Sequence, residues 1–503
     1  MESAMLRTLR HLMFGALSVG LLAACGSDDH NPAQTAPPPP AGPKSIVATA
    51  QATPDLSSLV AAVQFASNNG DLVTLLDSPG TLTVFAPSNT AFDNLAKALT
   101  GNTNARAADI LIPANKELVR TVLQYHVLTS TVKAADIPFG KAITPAAGGI
   151  FKIDNVGGKP VITDGRNQKA NITATDIVAT NGVVHLVDKV LLPADKSIVQ
   201  TAVASAPQFT NLVAALGFAS NNNDLVTLLS GTGPFTVFAP TNAAFDALAK
   251  ELTGNTNAVA ADILVPANKD LVRAVLQYHV VTSRVLAADI PVGKAISPAA
   301  GGIFKIDIVS GAPVINDGRN RKANITATDV FNTNGVIHVI DKVLLPADKT
   351  IVQTALAAAP EFTSLVAALQ FASNNNDLVT TLSGAGPFTV FAPTNAAFDA
   401  LAKELTGNAN ATAAAILVPA NKELVRNILL YHVLSSRVLA AEVPTAATAI
   451  QPLLAGKTFS IIANSAGVTI TDGRARTAKV IAADVLTSNG VIHAIDKVIL
   501  PAP

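Results

Sequence analysis

The chain has 503 residues, 49% of them apolar and 14% charged, with 35 basic and 35 acidic side chains. That length exceeds one ordinary domain, and the apolar share is ample for several buried cores. Balanced charge with no basic cluster excludes a broad electrostatic footprint for nucleic acid or an anionic lipid surface.

Residues 1–24 read as a targeting signal. Arg7 and Arg10 precede the apolar run HLMFGALSVGLLAAC, which is shorter than the ~20 apolar residues a membrane-spanning helix needs. The run ends in LAAC at 22–25, and Cys25 is the only cysteine. This resembles the bacterial lipobox, which implies lipidation of Cys25 and removal of the peptide before it. The alternative is an ordinary signal peptide cut after small residues. A lone cysteine provides no internal disulfide. Residues 25–44, with GSDDHNPAQTAPPPPAGPK after the cysteine, are Pro-rich and polar without an apolar period. They are expected to form a disordered tether, extended at ~3.1 Å per residue in its proline run. Gly26 follows the cysteine. By resemblance to enteric lipoproteins, that favours the outer membrane, with display in the periplasm or at the cell surface.

The remainder is a triplicate. TVFAP begins at Thr83, Thr236 and Thr389, 153 residues apart, and LQYHV at 123–127 returns at 276–280 and, as LLYHV, at 429–433. A third block, NGVVHLVDKVLLP, begins at Asn181 and returns at Asn334 and Asn489; the last interval is 155. The period is domain-sized rather than solenoid-sized. Domains are expected over 45–193, 197–346 and 350–501. They join through PADK at 193–196 and 346–349, which predicts restricted hinges.

Each copy reads as α+β. In the second, Ile198, Val199, Ala202 and Val203, then Phe209, Leu212, Val213 and Leu216, have helical spacing interrupted at Pro207. Phe235 to Phe238 reads as a strand. Thr241 is an expected N-cap, with Phe245, Leu248 and Leu252 facing the core. NITATDVFNTNGVIHVIDKVLL reads as two strands joined by an Asn334-Gly335 turn, since both residue types tolerate positive φ. Asp-Gly at Asp164, Asp317 and Asp472 reads as a second hairpin turn rather than a reversed adhesion tripeptide. Asn-Ile-Thr at Asn171 and Asn324 matches a glycosylation sequon, read here as strand sequence.

The segments TVFAPTNAAF, YHV and TNGVIHVIDKVLLP together resemble the fasciclin-like (FAS1) domain, in order and in every copy. The resemblance implies three tandem α+β units, each a wedge-shaped β-sandwich with packed helices. It implies adhesion or protein interaction outside the cytoplasm, through a protein or matrix partner and not through nucleic acid. It also implies no enzyme activity and no cofactor. Partner-binding residues carried over from animal members are Tyr125 and His126, Tyr278 and His279, Tyr431 and His432, and the Asp176-Ile177 pair. The later copies depart from that pair with Asp329-Val330 and Asp484-Val485.

Read from the residues alone, each Tyr-His pair closes a helix whose apolar stripe includes Leu118, Val119, Val122 and Leu123, so a structural role competes with partner contact. A metal site is disfavoured: His185 and Asp188, three apart on a strand, point to opposite faces, and no cysteine assists. No Gly-x-Ser-x-Gly elbow or phosphate-cradling glycine loop is present. A second functional reading is an exported protein that binds a small apolar ligand between helices and sandwich.

Overall fold

A computed structural model describes residues 44–503. The expected signal peptide, the lipidated Cys25 and the tether up to residue 43 lie outside the described residues.

The first copy sets the pattern. Helices α1 (Ile46–Gln51), α2 (Ser57–Ala66) and α3 (Asp71–Asp77) lead into strand β1 (Leu82–Pro87). Helices α4 (Asn89–Thr100), α5 (Ala107–Ile110) and α6 (Lys116–Tyr125) follow. Strands β2 (Val127–Leu128), β3 (Ala142–Ile143), β4 (Phe151–Val156), β5 (Lys159–Thr163), β6 (Lys169–Ala179) and β7 (Gly182–Val187) complete it. The seven-stranded order is β2-β1-β7-β6-β5-β4-β3, and the other two copies repeat it. β1 runs parallel to β7; the remaining pairs are antiparallel. Every residue of β1 is buried, which explains its unbroken apolar sequence: a strand covered on both faces has no reason to alternate.

The sheet curls because β6 is irregular. Its register slips between Ile172 and Ala174 and again between Ala174 and Ile177, and Asp176 takes a left-handed φ of 59° there. Such bulges bend a strand and increase its twist. The curl closes over Phe85, Tyr125, Phe151, Ile153, Ile162 and Leu191. The outer side of β1 and β7 packs on the helices through Leu59, Val63, Val84, Phe92, Leu123 and Val184. Each copy therefore has two cores, one inside the curled sheet and one under the helices.

Several local expectations hold. Helices Ile198–Ala204 and Thr210–Ala219 flank Pro207, and the Thr241 hydroxyl accepts from the Ala244 amide at 3.3 Å. Phe245 and Leu248 are buried, but Leu252 is 49% exposed. The helix outruns the layer beneath it, so its last turn only borders an apolar crevice with Leu271 and Val272.

Two turns differ from their sequence signals. Asn332 pairs with Gly335, so the tight turn is Thr333-Asn334, one residue earlier than expected. The Asn334 side chain does tertiary work instead. It accepts from the Ile198 amide at 3.0 Å and donates to the Leu229 and Gly231 carbonyls at 2.7 and 2.8 Å. Gly335 is required by crowding: a Cβ there would lie 2.0 Å from the Phe235 carbonyl oxygen. The Asp-Gly hairpin is a longer loop. Thr163 pairs with Lys169, and the left-handed residue is Asn167, φ 64°. Asp164 organises this loop by accepting from Arg166 and Gln168 at 3.0 and 2.8 Å and from Leu192 at 2.9 Å.

Gly335→Ala is expected to cost the second domain about 3 kcal/mol or more, because the offending carbonyl belongs to a central strand and cannot withdraw. A denaturant melt of the full chain should show one domain's transition moving to lower denaturant while the others stay. An unshifted melt would refute the crowding argument.

Candidate functional site

The Tyr-His pair ends α6. Tyr125 is fully buried, its ring edge-on to Phe151 with centroids 5.8 Å apart. Its hydroxyl donates to the Ile150 carbonyl at the entry to β4. His126 is 1% exposed. Its Nδ1 lies 2.7 Å from the Val122 carbonyl and its Nε2 accepts from the Leu191 amide at 2.8 Å. Those partners require the proton on Nδ1 and a neutral ring. Burial agrees, holding the imidazole down to about 4.

The other copies match. Tyr278 donates to Ile303, and Tyr431 to Thr458 at 2.5 Å. His279 joins Val275 to Leu344, and His432 joins Ile428 to Ile499. All six side chains are buried, so each pair ties the helix end to the entry of one strand and to the segment that leaves the last strand, and faces inward.

The second histidine supports the Asp-Ile position. His185 Nδ1 accepts from the Asp176 amide at 3.2 Å, and its Nε2 lies 2.8 Å from the Val132 carbonyl. Asp176 Oδ1 accepts from Ala134 at 2.9 Å. Asp188 turns instead to Asn171. Ile177 is half-buried against the helix-side core, whereas Asp176 is exposed. The equivalents Asp329 and Asp484 make the same amide and histidine bonds but are buried, at 3% and 7% exposure. Among the described residues no three His, Cys, Asp or Glu side chains converge as a metal site.

The burial of Asp329 and Asp484 comes from the preceding domain. Lys152 Nζ reaches across to Asp329 Oδ2 at 2.7 Å, with side-chain exposures of 12% and 1%. Burial opposes the charge on Lys152, but the hydrogen bond and charge of Asp329 outweigh it and raise the ammonium above its usual value. Beside it the Asn167 amide pairs with the Phe331 backbone, donating to its carbonyl at 3.1 Å and accepting from its N–H at 2.6 Å. Ile150, Leu286, Phe331 and Val336 form a buried apolar patch between the copies. Lys141 adds bonds to Ala288 and Asp289, both at 2.6 Å.

The second junction repeats the first. Lys305 meets Asp484 at 2.7 Å, Asn320 pairs with the Leu486 backbone at 3.0 and 2.7 Å, and Ile303 packs on Leu439, Leu486 and Val491. Single lysines and asparagines in a strand and a turn carry no motif, so sequence reasoning missed this lock. The available signal was Lys152 and Lys305 having Ser460 as their counterpart in the third copy.

The buried histidines give a sign-defined pH dependence. The folded rings titrate near about 4, while an unfolded histidine titrates near about 6.5. Between those values the unfolded chain binds more protons, so stability is full above the upper value and falls as pH drops toward the lower one. The loss should be on the order of 2–3 kcal/mol per domain at the bottom of the window. Thermal midpoints across that range check this. His279→Gln should lower the second domain's midpoint at neutral pH and flatten its pH dependence; an unchanged slope would refute the assignment.

The Fasciclin domain family model matches residues 54–193, 207–346 and 360–501. Human periostin is 26% identical over 453 residues, covering 90% of this chain and 47% of that protein. Protein sll1483 of Synechocystis sp. is 41% identical over 150 residues, covering 30% of this chain and 73% of its own length. The chain spans about half the length of periostin and of the rabbit and pig transforming growth factor-beta-induced protein ig-h3 that it also matches. A solved FAS1 domain pair from the insect cell adhesion molecule Fasciclin I is 20% identical, covering 58% of this chain and 97% of its own, with a TM-score of 0.28. With its family motifs repeated in three curled sheets, the chain belongs to the Fasciclin domain family.

Proposed function

We propose that this protein is an adhesion and protein-interaction module of the cell envelope, held through a lipid on Cys25 and raised by the tether over 25–44. It displays three fasciclin domains, over 45–193, 197–346 and 350–501, to a protein or matrix partner. The bacterial outer membrane is the favoured anchor, and the lipid is the only membrane contact. No catalytic step or cofactor enters this reading, and no nucleic acid.

The observation that carries it is the pair of buried locks between domains of an adhesion family. Three domains held at fixed spacing would turn weak contacts on each of them into avidity. A linked second contact is intramolecular and strengthens binding by ~10²–10⁴ where geometry permits. Of the eight contact residues implied by resemblance, Tyr125, His126, Tyr278, His279, Tyr431 and His432 are read as internal posts, because they are buried. Asp176, exposed, and its neighbour Ile177 remain as partner-facing positions.

A second reading, binding of a small apolar ligand, draws on one feature. An apolar crevice lies among Ile46, Leu59, Val63, Val73 and Val84 of the first domain.

The test compares adhesion and aggregation of cells with and without the protein. Deletion should reduce both, with restoration by the native chain but not by Cys25→Ser. Full restoration by Cys25→Ser would remove the anchor from the proposal. No loss on deletion would remove adhesion and leave a search for co-purifying apolar molecules.

A further inference from the structure

The two junctions share their parts, but the two ends of the array do not. The lysine, asparagine and isoleucine that the first domain offers, Lys152, Asn167 and Ile150, recur in the second as Lys305, Asn320 and Ile303. Their counterparts in the third are Ser460, Ala475 and Thr458. The scaffold around them is intact. Ser460 pairs with Ala449 as Lys152 pairs with Ala142. Tyr431 still donates to the Thr458 carbonyl. Ala475 keeps a φ of 59°, close to the 64° and 61° of Asn167 and Asn320. Asparagine tolerates that left-handed conformation better than alanine does. The third domain thus keeps the backbone of the lock after losing its side chains.

The opposite face of the first domain is altered in part. Asp176 keeps the left-handed φ, the amide bond to His185 and the Ala134 bond seen at Asp329 and Asp484. Among the described residues no cation pairs with it. Lys133 and Val178 stand where the second domain has Leu286 and Phe331 and the third has Leu439 and Leu486. Val178 is 67% exposed, against 2% for both Phe331 and Leu486.

We propose that the domains are the starting, middle and ending units of one lock, and that these end substitutions prevent the third domain of one chain from seating on the first domain of another. The inference does not depend on adhesion. A head-to-tail contact of this kind would not close on itself and would propagate into a filament. Terminal units with an altered outer face are how repeat arrays avoid that outcome.

The test restores both faces in the full chain with Lys133→Leu, Val178→Phe, Thr458→Ile, Ser460→Lys and Ala475→Asn. Sedimentation velocity over a wide concentration range reads the mass. The native chain should sediment as one chain. The restored chain should associate with rising concentration, and adding Asp176→Asn should return it to one chain. A restored chain with native circular dichroism that stays at one chain mass overturns the proposal. So does a native chain whose association is abolished by Asp176→Asn.

Should the restored chain fail to fold, the internal lock decides. Ile303→Thr, Lys305→Ser and Asn320→Ala place the third domain's residues in the second domain. They should broaden the maximum dimension seen by small-angle scattering while leaving the domain melts in place. Unchanged scattering overturns the proposal.

Discussion

Burying Lys152 against Asp329 strips hydration from both charges, and that loss is recovered only if the ammonium and carboxylate meet with their remaining bonds satisfied. Here they do. Asp329 gives one oxygen to the lysine and the other to the Ala287 amide, while Lys152 also lies 3.3 Å from Asp154 in its own domain. A buried ion pair of this type contributes little net stability but strongly penalises misalignment, since separating it leaves a charge without a partner. The apolar patch of Ile150, Leu286, Phe331 and Val336 supplies attraction, and the ion pair and the Asn167 amide set the register. Each junction is therefore an alignment device, and the short PADK joint only has to bring its halves together.

The alignment depends on the interior of each domain. Tyr125 holds the carbonyl of Ile150, whose side chain enters the interface, and Lys152 follows two residues later on β4. On the receiving side, His338 holds the amide of Asp329 where the bulged strand turns left-handed. The two histidines of a domain thus have different tasks: the one after the tyrosine ties the end of the helix to the chain's exit, and the other fixes the receiving aspartate. The bulge makes the second possible. An unbroken strand would alternate its side chains, and the aspartate would lose the amide bond to histidine that aims it outward.

The repeat, the strand from Phe235, the Thr241 helix cap and the Tyr-His helix end were legible because each follows from local pattern or apolar periodicity. The turns were less so. Asn-Gly is a strong local hairpin signal, yet at Asn334-Gly335 both residues answer to distant groups: the asparagine to Ile198, Leu229 and Gly231, the glycine to Phe235. Asp164 likewise spends its carboxylate on Leu192 as well as on its own loop. Leu252 obeyed helical periodicity, but periodicity does not say where the supporting layer stops. The lock was illegible for a related reason. Its partners lie 177 residues apart at Lys152 and Asp329, and a single lysine on a strand usually means a solvated face.

Differences among the copies are therefore more informative than their identities. Shared residues such as Tyr125, Tyr278 and Tyr431 report what any one domain needs to fold. Residues present in two copies and altered in the third report what the array needs, because the three scaffolds are otherwise alike. Lys152 and Lys305 against Ser460 satisfy this test, as do Leu286 and Leu439 against Lys133. A stiff array also changes the meaning of repeated weak contacts. Fixed spacing concentrates the second contact only for a partner whose sites match that spacing, whereas a flexible string would accept many spacings at lower effective concentration. Under an adhesion role, the lock would then set which surfaces bind strongly, even though none of its side chains touches them.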